Sequence, residues 1–509
     1  MGIPQTMNVV PKEVPFDIFI GTYREKLKEL FSDESTVERL RVQRRFPDSF
    51  LSEVRQCRPL STFISKEYGG RGGHVHEALS MLEESSYQSL ALSLTFGING
   101  ALFLQPLHRY GDAGFKQRVY NDFISGDSLG GLMITEPDYG SDALSMQTHF
   151  TDTDSGYKIN GTKHWGGLTG MADYWLVTAR RKDEADQLAR DIDFFVVDVR
   201  KDDQEIVVEE LFQNLGLYPI QYGRNLIDVS VAADQRLNPS STGIKLMLDT
   251  LHRSRIEFPG MGMGFLRRML DEAVQHCKER FVGGSSLFSY DQVKSRLSKI
   301  QAYYTTCSAM CAYSSEHADI QNDLSKYGLQ ANVIKSILTD FMQTASQSLL
   351  QLVGAKGYCL DHIAGSATVD CRPFQIFEGP NDILYQQISE SVLKSMRRLK
   401  EVNLFSFLSK YDLSSRASQH VKEILDFIPD RQMPQRHLVE LGQLLGRLFS
   451  MEFVIELGDR GYRPSLITNC ISVLSEEMER IASSFSSGNL SDPTEDYLVD
   501  SAWLSFVRA

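Results

Sequence analysis

The stretch Ile134-Thr-Glu-Pro-Asp-Tyr-Gly-Ser-Asp142 is followed, after a short interval, by Tyr157-Lys-Ile-Asn-Gly-Thr-Lys-His-Trp165. Around these two segments lie short apolar runs rich in β-branched and aromatic residues, a composition typical of β-strands. The runs cover residues 131–135, 174–178, 193–198 and 225–231. Asn160-Gly161 predicts a tight hairpin turn between two strands. Residues 129–242 are therefore predicted to form a small β-barrel or β-sandwich domain.

Helical patterns lie on both sides of this β domain. Residues 77–93 have apolar positions at helical spacing and no internal proline or glycine, which indicates a helical domain over residues 1–128. Three long segments mostly free of helix breakers predict a four-helix bundle over residues 243–398. They cover residues 264–281, 292–318 and 332–353. Residues 399–509 form a further helical extension in this interpretation, so the predicted fold class is α+β, mainly α.

Composition limits the classes of partner. Of the 509 residues, 42% are hydrophobic and 23% are charged, which is the balance of a soluble globular protein with a sizeable core. The net charge of −13 argues against a nucleic-acid partner, because phosphates need a basic surface. We expect no membrane span and no secretory signal, so the cytoplasm is the expected location. Residues 1–6 fit a myristoylation pattern, but such a short match arises often by chance.

Motifs of other enzyme classes are weak or missing in the sequence. Gly260-Met-Gly-Met-Gly264 superficially resembles a dinucleotide-binding fingerprint. It follows no predicted strand and lacks the GxGxxG spacing, so close packing between helices is the better interpretation. The sequence has no HExxH, Walker or paired CxxC motif, and no metal site is predicted.

Five segments, in order, resemble the signature motifs of the acyl-CoA dehydrogenase family. They are the two segments quoted first, together with residues 255–280, 351–358 and 370–383, so that the resemblance covers about residues 60–395. It implies a homodimeric or homotetrameric FAD enzyme of fatty acid metabolism, with an acyl-CoA or acyl-carrier thioester as substrate. The electron acceptor would be an electron-transferring flavoprotein or oxygen. A helical C-terminal extension, like residues 399–509, occurs in the very-long-chain branch of the family.

Glu378 is the candidate catalytic base. Desaturation of an acyl thioester removes a weakly acidic α proton, which requires a carboxylate base and hydrogen-bond donors at the thioester oxygen. Glu378 lies in Phe374-Gln-Ile-Phe-Glu-Gly-Pro-Asn-Asp-Ile383, where apolar neighbours would raise the pKa of its carboxyl group. The alternative is a surface glutamate just before a helix, favoured there by the helix dipole. The other four motifs favour the base.

By the same resemblance, further residues are implied in binding. Those implied in binding FAD are Ile134, Thr135, Gly140, Ser141, Trp165, Gly167, Arg280, Gln292, Gln351, Ala355, Pro380 and Asp382. Those implied in binding substrate are Ser141, Arg255, Phe377 and Gly379. Gln292 and Gln351 would act across a subunit interface. Taken alone, each position would also suit an ordinary turn, core or surface residue.

The sequence also departs from the family pattern. Gly167 stands where the family often has a hydroxyl residue that donates to the flavin, and either backbone N–H or Thr169 would have to substitute. Pro380 replaces a threonine, and Val369 replaces an arginine. These changes are consistent with a divergent branch, including one that uses carrier-protein thioesters. A flavin monooxygenase or oxidase on the same fold, and a non-catalytic member that binds a partner, remain the alternatives.

Overall fold

The computed structural model describes residues 14–126, 128–430, 432–485 and 492–507. The N-terminal part is helical, and a π-helical segment, Ile98–Leu104, connects its fifth and sixth helices. These helices are α1 (Phe16–Leu30), α2 (Glu34–Val42), α3 (Asp48–Gln56), α4 (Val75–Gln88), α5 (Leu90–Gly97), α6 (Gln105–Tyr110) and α7 (Ala113–Ser125). The myristoylation pattern in residues 1–6 lies outside the described residues.

The middle part is one curled sheet of seven strands. They are β1 (Gly130–Met133), β2 (His149–Thr153), β3 (Gly156–His164), β4 (Tyr174–Arg181), β5 (Asp193–Asp198), β6 (Ile206–Leu211) and β7 (Gly223–Ala232). The strand order is β1-β4-β2-β3-β7-β6, and β5 pairs with β4. Inward-facing residues alternate along β7, as expected of a strand with one buried face.

The predicted hairpin turn at Asn160-Gly161 is wrong. Both residues lie inside β3, which pairs with β2 on one side and β7 on the other. The turn lies instead at Asp154-Ser155, just before Gly156 pairs with Thr153. Gly161 has a packing role, since a Cβ there would lie 2.3 Å from the Thr148 hydroxyl oxygen.

The C-terminal part is again helical. Its main helices are α8 (Gly243–Glu279), α9 (Asp291–His317), α10 (Gly328–Val353), α11 (Ile363–Asp370) and α12 (Asn381–Leu399), with a short hairpin of β8 (Phe281–Val282) and β9 (Ser285–Ser286) after α8. The extension adds α13 (Leu404–Leu408), α14 (Ala417–His420), α15 (Lys422–Leu425), α16 (Gln435–Asp459) and α17 (Pro464–Phe485). The helical, curled-sheet and helical parts follow one another as predicted, which confirms the fold class.

Glycines allow two close helix contacts that shape this part. Gly264 of α8 faces α4, and a Cβ there would lie 2.0 Å from the Glu83 carbonyl oxygen. Gly442 of α16 faces α12, and a Cβ there would lie 2.0 Å from the Tyr385 carbonyl oxygen. The glycine-rich stretch in α8 therefore serves close helix packing, as predicted, and the extension packs directly on α12.

The expectation of no membrane span was tested by asking whether any helix is long and apolar enough to cross a membrane. Leu90–Tyr110 passes that test by length and composition. However, 94% of its most apolar 18-residue window is buried inside the protein. The stretch is the central helix of the N-terminal part, and its apolar character follows from burial on all sides.

A loop of the sheet is fixed to the C-terminal helices near the end of α11. The buried carboxylate of Asp370 accepts a hydrogen bond of 2.6 Å from the Leu217 backbone N–H. Burial raises the pKa of Asp370 to about 7. Gly216 lies against the same segment, since a Cβ there would lie 2.3 Å from the Val369 carbonyl oxygen. These contacts orient the sheet relative to the turn that carries Glu378.

Candidate active site

Glu378 occupies a backbone turn just before α12. Its φ is 53° and that of Gly379 is 93°, so both residues are in the left-handed region. The left-handed conformation costs an L-residue such as Glu378 about 1–2 kcal/mol, whereas glycine adopts it readily. Pro380 follows with φ −56° and forms the N-cap of α12. The chain therefore reverses at Glu378 and Gly379, directly before the first residue of α12.

The carboxyl group of Glu378 has an unusual environment. Its Oε1 accepts a hydrogen bond of 2.9 Å from the Ser254 hydroxyl on α8. Its Oε2 is buried and has no hydrogen-bond partner among the described residues. Burial raises the pKa of Glu378, whereas the charge of Arg255, the Ser254 hydrogen bond and the charge of Lys335 oppose this rise. A carboxylate with one free oxygen and a raised pKa is suited to accept a proton.

Three aromatic rings pack together beside this turn. Phe377 lies 4.9 Å from Phe374 and 6.2 Å from Phe258 of α8, measured between ring centroids. Phe374 and Phe258 are 5.8 Å apart. The cluster supplies the apolar setting that the sequence predicted for Glu378, although one of its rings comes from a helix far away along the chain.

Two buried cations hold the backbone of the turn. Arg255 donates a hydrogen bond of 2.6 Å to the Glu378 carbonyl oxygen, and Lys335 of α10 donates one of 2.7 Å to the Gly379 carbonyl oxygen. Arg255 also donates to the Asn332 side chain at 2.8 Å. The structure thus places Arg255 against Glu378 and Gly379, residues that the sequence grouped only by resemblance.

Sequence reasoning missed Ser254 and Lys335. Neither lies in the segment around Glu378, and no local pattern connects them to it. The available signal for Lys335 was a lysine inside a long helical segment, close in sequence to the apolar residues Val333, Ile334, Ile337 and Leu338. A buried lysine is rare unless it has a specific partner.

Trp165 marks the sheet side of the candidate site. It follows the last residue of β3 with φ 57°, and its N–H donates to the Gly223 carbonyl oxygen at 3.0 Å. Its ring is 53% exposed and lies 4.5 Å from the Phe212 ring. The neighbouring His164 N–H donates to the Thr135 carbonyl oxygen at 2.8 Å. The structure therefore brings the ends of the two signature segments together.

A buried ion pair stabilises this junction. Lys163, which is fully buried, contacts Glu136 at 2.9 Å and also donates to the Ile134 carbonyl oxygen at 3.1 Å. Glu136 accepts two backbone hydrogen bonds, from Gln147 at 2.6 Å and Thr148 at 2.9 Å. Burial lowers the pKa of Lys163 to about 8, against the opposing charge of Glu136. The glutamate of the first signature segment thus fixes the segment in place, a role that the sequence did not reveal.

A side chain at Gly167 would contact the end of the Ile98 side chain. A Cβ there would lie 2.8 Å from the Ile98 Cδ1 atom. The Thr169 hydroxyl is buried, donates to the Gly166 carbonyl oxygen at 2.7 Å and accepts from Asn225 at 3.1 Å. Because the Thr169 hydroxyl is already engaged in these two hydrogen bonds, they favour a backbone N–H over Thr169 as the substitute donor, and the choice between the two stays a prediction.

The remaining residues implied by resemblance lie on the surface of the chain. Arg280 is the C-cap of α8, Gln292 lies in the first turn of α9, and Gln351 lies in the last turn of α10. Besides Trp165, the exposed positions among the implied set are Gly140, Ser141, Arg280, Gln292, Gln351, Ala355 and Asp382. Within the described residues, no hydrogen bond connects Arg280, Gln292 or Gln351 to Glu378 or Trp165. Their binding roles stay predictions.

Comparison with known proteins gives the family. Family models described as the acyl-CoA dehydrogenase N-terminal, middle and C-terminal domains match residues 22–127, 131–228 and 241–393. The chain belongs to the acyl-CoA dehydrogenase family. It is 25% identical over 349 residues to an acyl-CoA dehydrogenase of Bacillus subtilis, which covers 68% of this chain and 90% of the relative.

Solved structures of the acyl-CoA dehydrogenase fold superpose well on the chain. An acyl-CoA dehydrogenase complexed with FAD from Bacillus anthracis gives a TM-score of 0.72 at 16% identity, over 96% of this chain and 92% of that one. Coverage of this extent includes most of the C-terminal extension. The prolyl acyl carrier protein oxidase AnaB gives 0.66 at 16% identity, over 73% of this chain and 98% of that one.

Membership of this family confirms two further predictions. Its members are oxidoreductases that act on CH–CH bonds, and the cofactor that the membership indicates is FAD. The residues fit this cofactor. The half-exposed ring of Trp165 offers a flat apolar surface to a ring system, beside the backbone of Thr135. Gly140 has open space where a Cβ would stand. These features are compatible with a flavin ring beside Trp165, and the roles of the individual residues stay predictions.

Proposed function

We propose that this protein is an FAD-dependent acyl-thioester dehydrogenase in which Glu378 removes the α proton. The observation that carries the proposal is the carboxyl group of Glu378, whose Oε1 accepts from Ser254 and whose buried Oε2 has no hydrogen-bond partner among the described residues. Buried carboxylate oxygens normally accept hydrogen bonds, and none of the described residues donates one to Oε2. A substrate C–H group presented to Oε2 would give up its proton without first displacing another donor.

The reaction removes two hydrogens and forms one double bond. The α C–H bond breaks, its proton passes to Oε2 of Glu378, and the remaining electron pair becomes part of the new α–β double bond. FAD, when bound, accepts the hydride that leaves the β carbon. The product is the 2,3-enoyl thioester. The charges of Arg255 and Lys335 oppose the rise in the pKa of Glu378 and so favour the ionised carboxylate, which is the form that acts as a base.

Other residues of this chain bind and orient in the proposal. The backbone N–H of Glu378 donates to the thioester oxygen and stabilises the charge that develops on it. Ser141, Arg255, Phe377 and Gly379 line the substrate. Trp165 covers one edge of the flavin and excludes water from it.

The cofactor-binding residues form two groups in the proposal. The first group contacts the flavin ring and consists of Ile134, Thr135, Gly140, Ser141, Trp165 and Gly167. The second group serves the nucleotide end and consists of Arg280, Gln292, Gln351, Ala355, Pro380 and Asp382. Exposure of Gln292 and Gln351 supports a role across the interface of a homodimer or homotetramer.

The substrate in the proposal is an acyl-CoA or an acyl-carrier thioester, and the electron acceptor is an electron-transferring flavoprotein or oxygen. A cytoplasmic location and a place in fatty acid metabolism belong to the same proposal.

Anaerobic bleaching of the bound flavin tests the proposal. The FAD-loaded protein is mixed with acyl-CoA thioesters of increasing chain length and with matching carrier-protein thioesters. We expect at least one of them to bleach the flavin in the wild-type protein and to leave it oxidised in Glu378→Gln, which keeps the shape of the side chain but cannot accept the proton. Absence of bleaching with every thioester, or unchanged bleaching in Glu378→Gln, would contradict the proposal.

One observation favours a second candidate, an oxidase that passes electrons to oxygen. Gly167 lacks the hydroxyl group that the family often has at this position, and the end of the Ile98 side chain lies 2.8 Å from where a Cβ would stand. The AnaB structure shows that this fold is found in a carrier-protein oxidase. Oxygen uptake that keeps pace with thioester turnover, without an added acceptor, would favour the oxidase over the dehydrogenase.

A further inference from the structure

Lys335 is a buried cation that contacts the Glu378 turn without contacting the Glu378 side chain. It lies in the third turn of α10, and its side chain is fully excluded from solvent. Its ammonium group donates to the Gly379 carbonyl oxygen at 2.7 Å and to the Asn381 side-chain oxygen at 2.9 Å. Both acceptors are uncharged. A cation buried against neutral oxygens is costly, so its presence calls for a specific role.

The backbone geometry shows what that contact controls. Peptide groups are planar and trans, so the carbonyl of one residue points opposite to the N–H of the next. Arg255 holds the carbonyl of Glu378, and Lys335 holds the carbonyl of Gly379. Together they fix the two peptide planes that follow Glu378. Glu378 has a disfavoured left-handed backbone conformation, which persists only when surrounding contacts such as these hold it.

We infer that Lys335 is a positioning residue, an inference that rests on the proposed function. By holding the Gly379 carbonyl, it keeps the Glu378 backbone N–H and the Glu378 carboxyl group directed at the substrate thioester. It touches neither the substrate nor the flavin in this role. Without it, Gly379 is free to rotate, since glycine readily adopts other backbone conformations. The turn would then spend much of its time in conformations that misdirect the base.

The charged groups around Lys335 agree with this role. Arg255 faces it from α8, Glu378 from the turn and Asp340 from its own helix. Burial, followed by the charge of Arg255, lowers the pKa of Lys335 to about 7, whereas Glu378 and Asp340 oppose the decrease. Asp340 is itself engaged with Tyr385 at 2.6 Å. Lys335 can donate to the Gly379 carbonyl in either protonation state, because its neutral amine also carries N–H groups.

The alternative is that Lys335 only stabilises the start of α12 through Asn381. Thr339 offers a matched control for this alternative. It lies one turn further along α10, is equally buried, and its hydroxyl accepts from the Asn381 amide at 3.0 Å. Unlike Lys335, it does not contact the Gly379 carbonyl. Thr339→Val therefore weakens the Asn381 anchor and leaves the turn's carbonyl contacts intact.

The test separates proton removal from the rest of the reaction. FAD-loaded wild type, Lys335→Met and Thr339→Val are given an acyl thioester with sulfur in place of the β carbon, in which only the α proton can be removed. Exchange of that proton with D2O is followed by mass spectrometry, and the melting temperature of each variant is recorded. With a normal substrate, KM and kcat are measured separately.

We expect Lys335→Met to slow the exchange about 10- to 100-fold, the loss that corresponds to one hydrogen bond from a charged donor. Its kcat should fall far more than its KM changes, and Thr339→Val should exchange at the wild-type rate. Equal rates in wild type and Lys335→Met would overturn the inference. So would an equal loss in both variants, because that pattern indicates a purely structural role. If Lys335→Met does not fold, Lys335→Gln decides by the same comparison.

Failure of the inference is distinguishable from failure of the proposed function. In the first case the wild-type protein exchanges the α proton and Lys335→Met does so equally well. In the second case the wild-type protein exchanges the α proton of no thioester, and Glu378→Gln gives the same result as wild type.

Discussion

Removal of the Lys163 charge should loosen the junction between the two signature segments. Lys163 is 0% exposed and Glu136 is 4% exposed, and their side chains are 2.9 Å apart. In Lys163→Met the glutamate stays buried without its cation, although the Gln147 and Thr148 N–H groups still bind it. Breaking a buried pair from one side costs about 3–5 kcal/mol. At roughly 2–4 °C per kcal/mol for a large domain, the melting temperature should fall by about 6–20 °C.

Lys158→Met is the matched control on the same strand. Lys158 pairs with Asp228 at 2.5 Å, but the two side chains are 36% and 73% exposed. An exposed pair contributes only about 0–1 kcal/mol, so this variant should melt close to the wild type. Scanning calorimetry on FAD-loaded protein gives the comparison, and flavin fluorescence reports whether FAD is released earlier in Lys163→Met.

The double variant Lys163→Met/Glu136→Gln sharpens the test. It leaves a neutral amide in place of the stranded carboxylate, so it should recover part of the stability that Lys163→Met loses. If Lys163→Met melts within about 2 °C of Lys158→Met, the argument that burial makes the difference is refuted. If the double variant is less stable than Lys163→Met, the stranded charge is not the cause of the loss.

Three further predictions concern the base and the packing around it. Glu378→Gln should abolish turnover yet melt higher than wild type at neutral pH. A buried carboxyl group with a raised pKa destabilises the folded protein at pH values above its ordinary pKa of 4.5, so the difference in melting temperature between Glu378→Gln and wild type should shrink as the pH falls toward 4.5. A melting temperature of Glu378→Gln below that of wild type at neutral pH would contradict this. Ser254→Ala removes a hydrogen bond that favours the ionised form, so the acidic limb of the kcat/KM profile should move to higher pH, and an unmoved limb would show that the bond is not formed in solution. Gly264→Ala should destabilise the protein by about 1–3 kcal/mol because its Cβ would overlap the Glu83 carbonyl, whereas Gly21→Ala, in open space on α1, should be neutral or stabilising in the same urea titration.

Tertiary structure corrected local signals where strand pairing or burial outweighed them. Asn160-Gly161 is a strong turn signal by itself, but pairing with β2 and β7 keeps it extended, and Gly161 is needed for the approach of Thr148. The apolar composition of Leu90–Tyr110 suits a membrane helix or a core helix equally, and only its burial separates the two. Thr169 was a candidate donor by position, but its hydroxyl points into the sheet.

The sequence by itself determined the helical, β and helical order of the chain, the family and the identity of the candidate base, because periodicity and ordered motifs are local properties of the chain. Glu378 was found from its apolar neighbours and its register with the other motifs. Only the tertiary structure decided what surrounds that carboxyl group. Ser254 of α8 binds the carboxyl group and Lys335 of α10 binds the neighbouring Gly379 carbonyl oxygen, and both contacts depend on how these sequence-distant helices pack. Contacts between distant segments leave no periodic trace in the sequence, so only the packing of α8 and α10 against the turn determines the surroundings of the Glu378 carboxyl group.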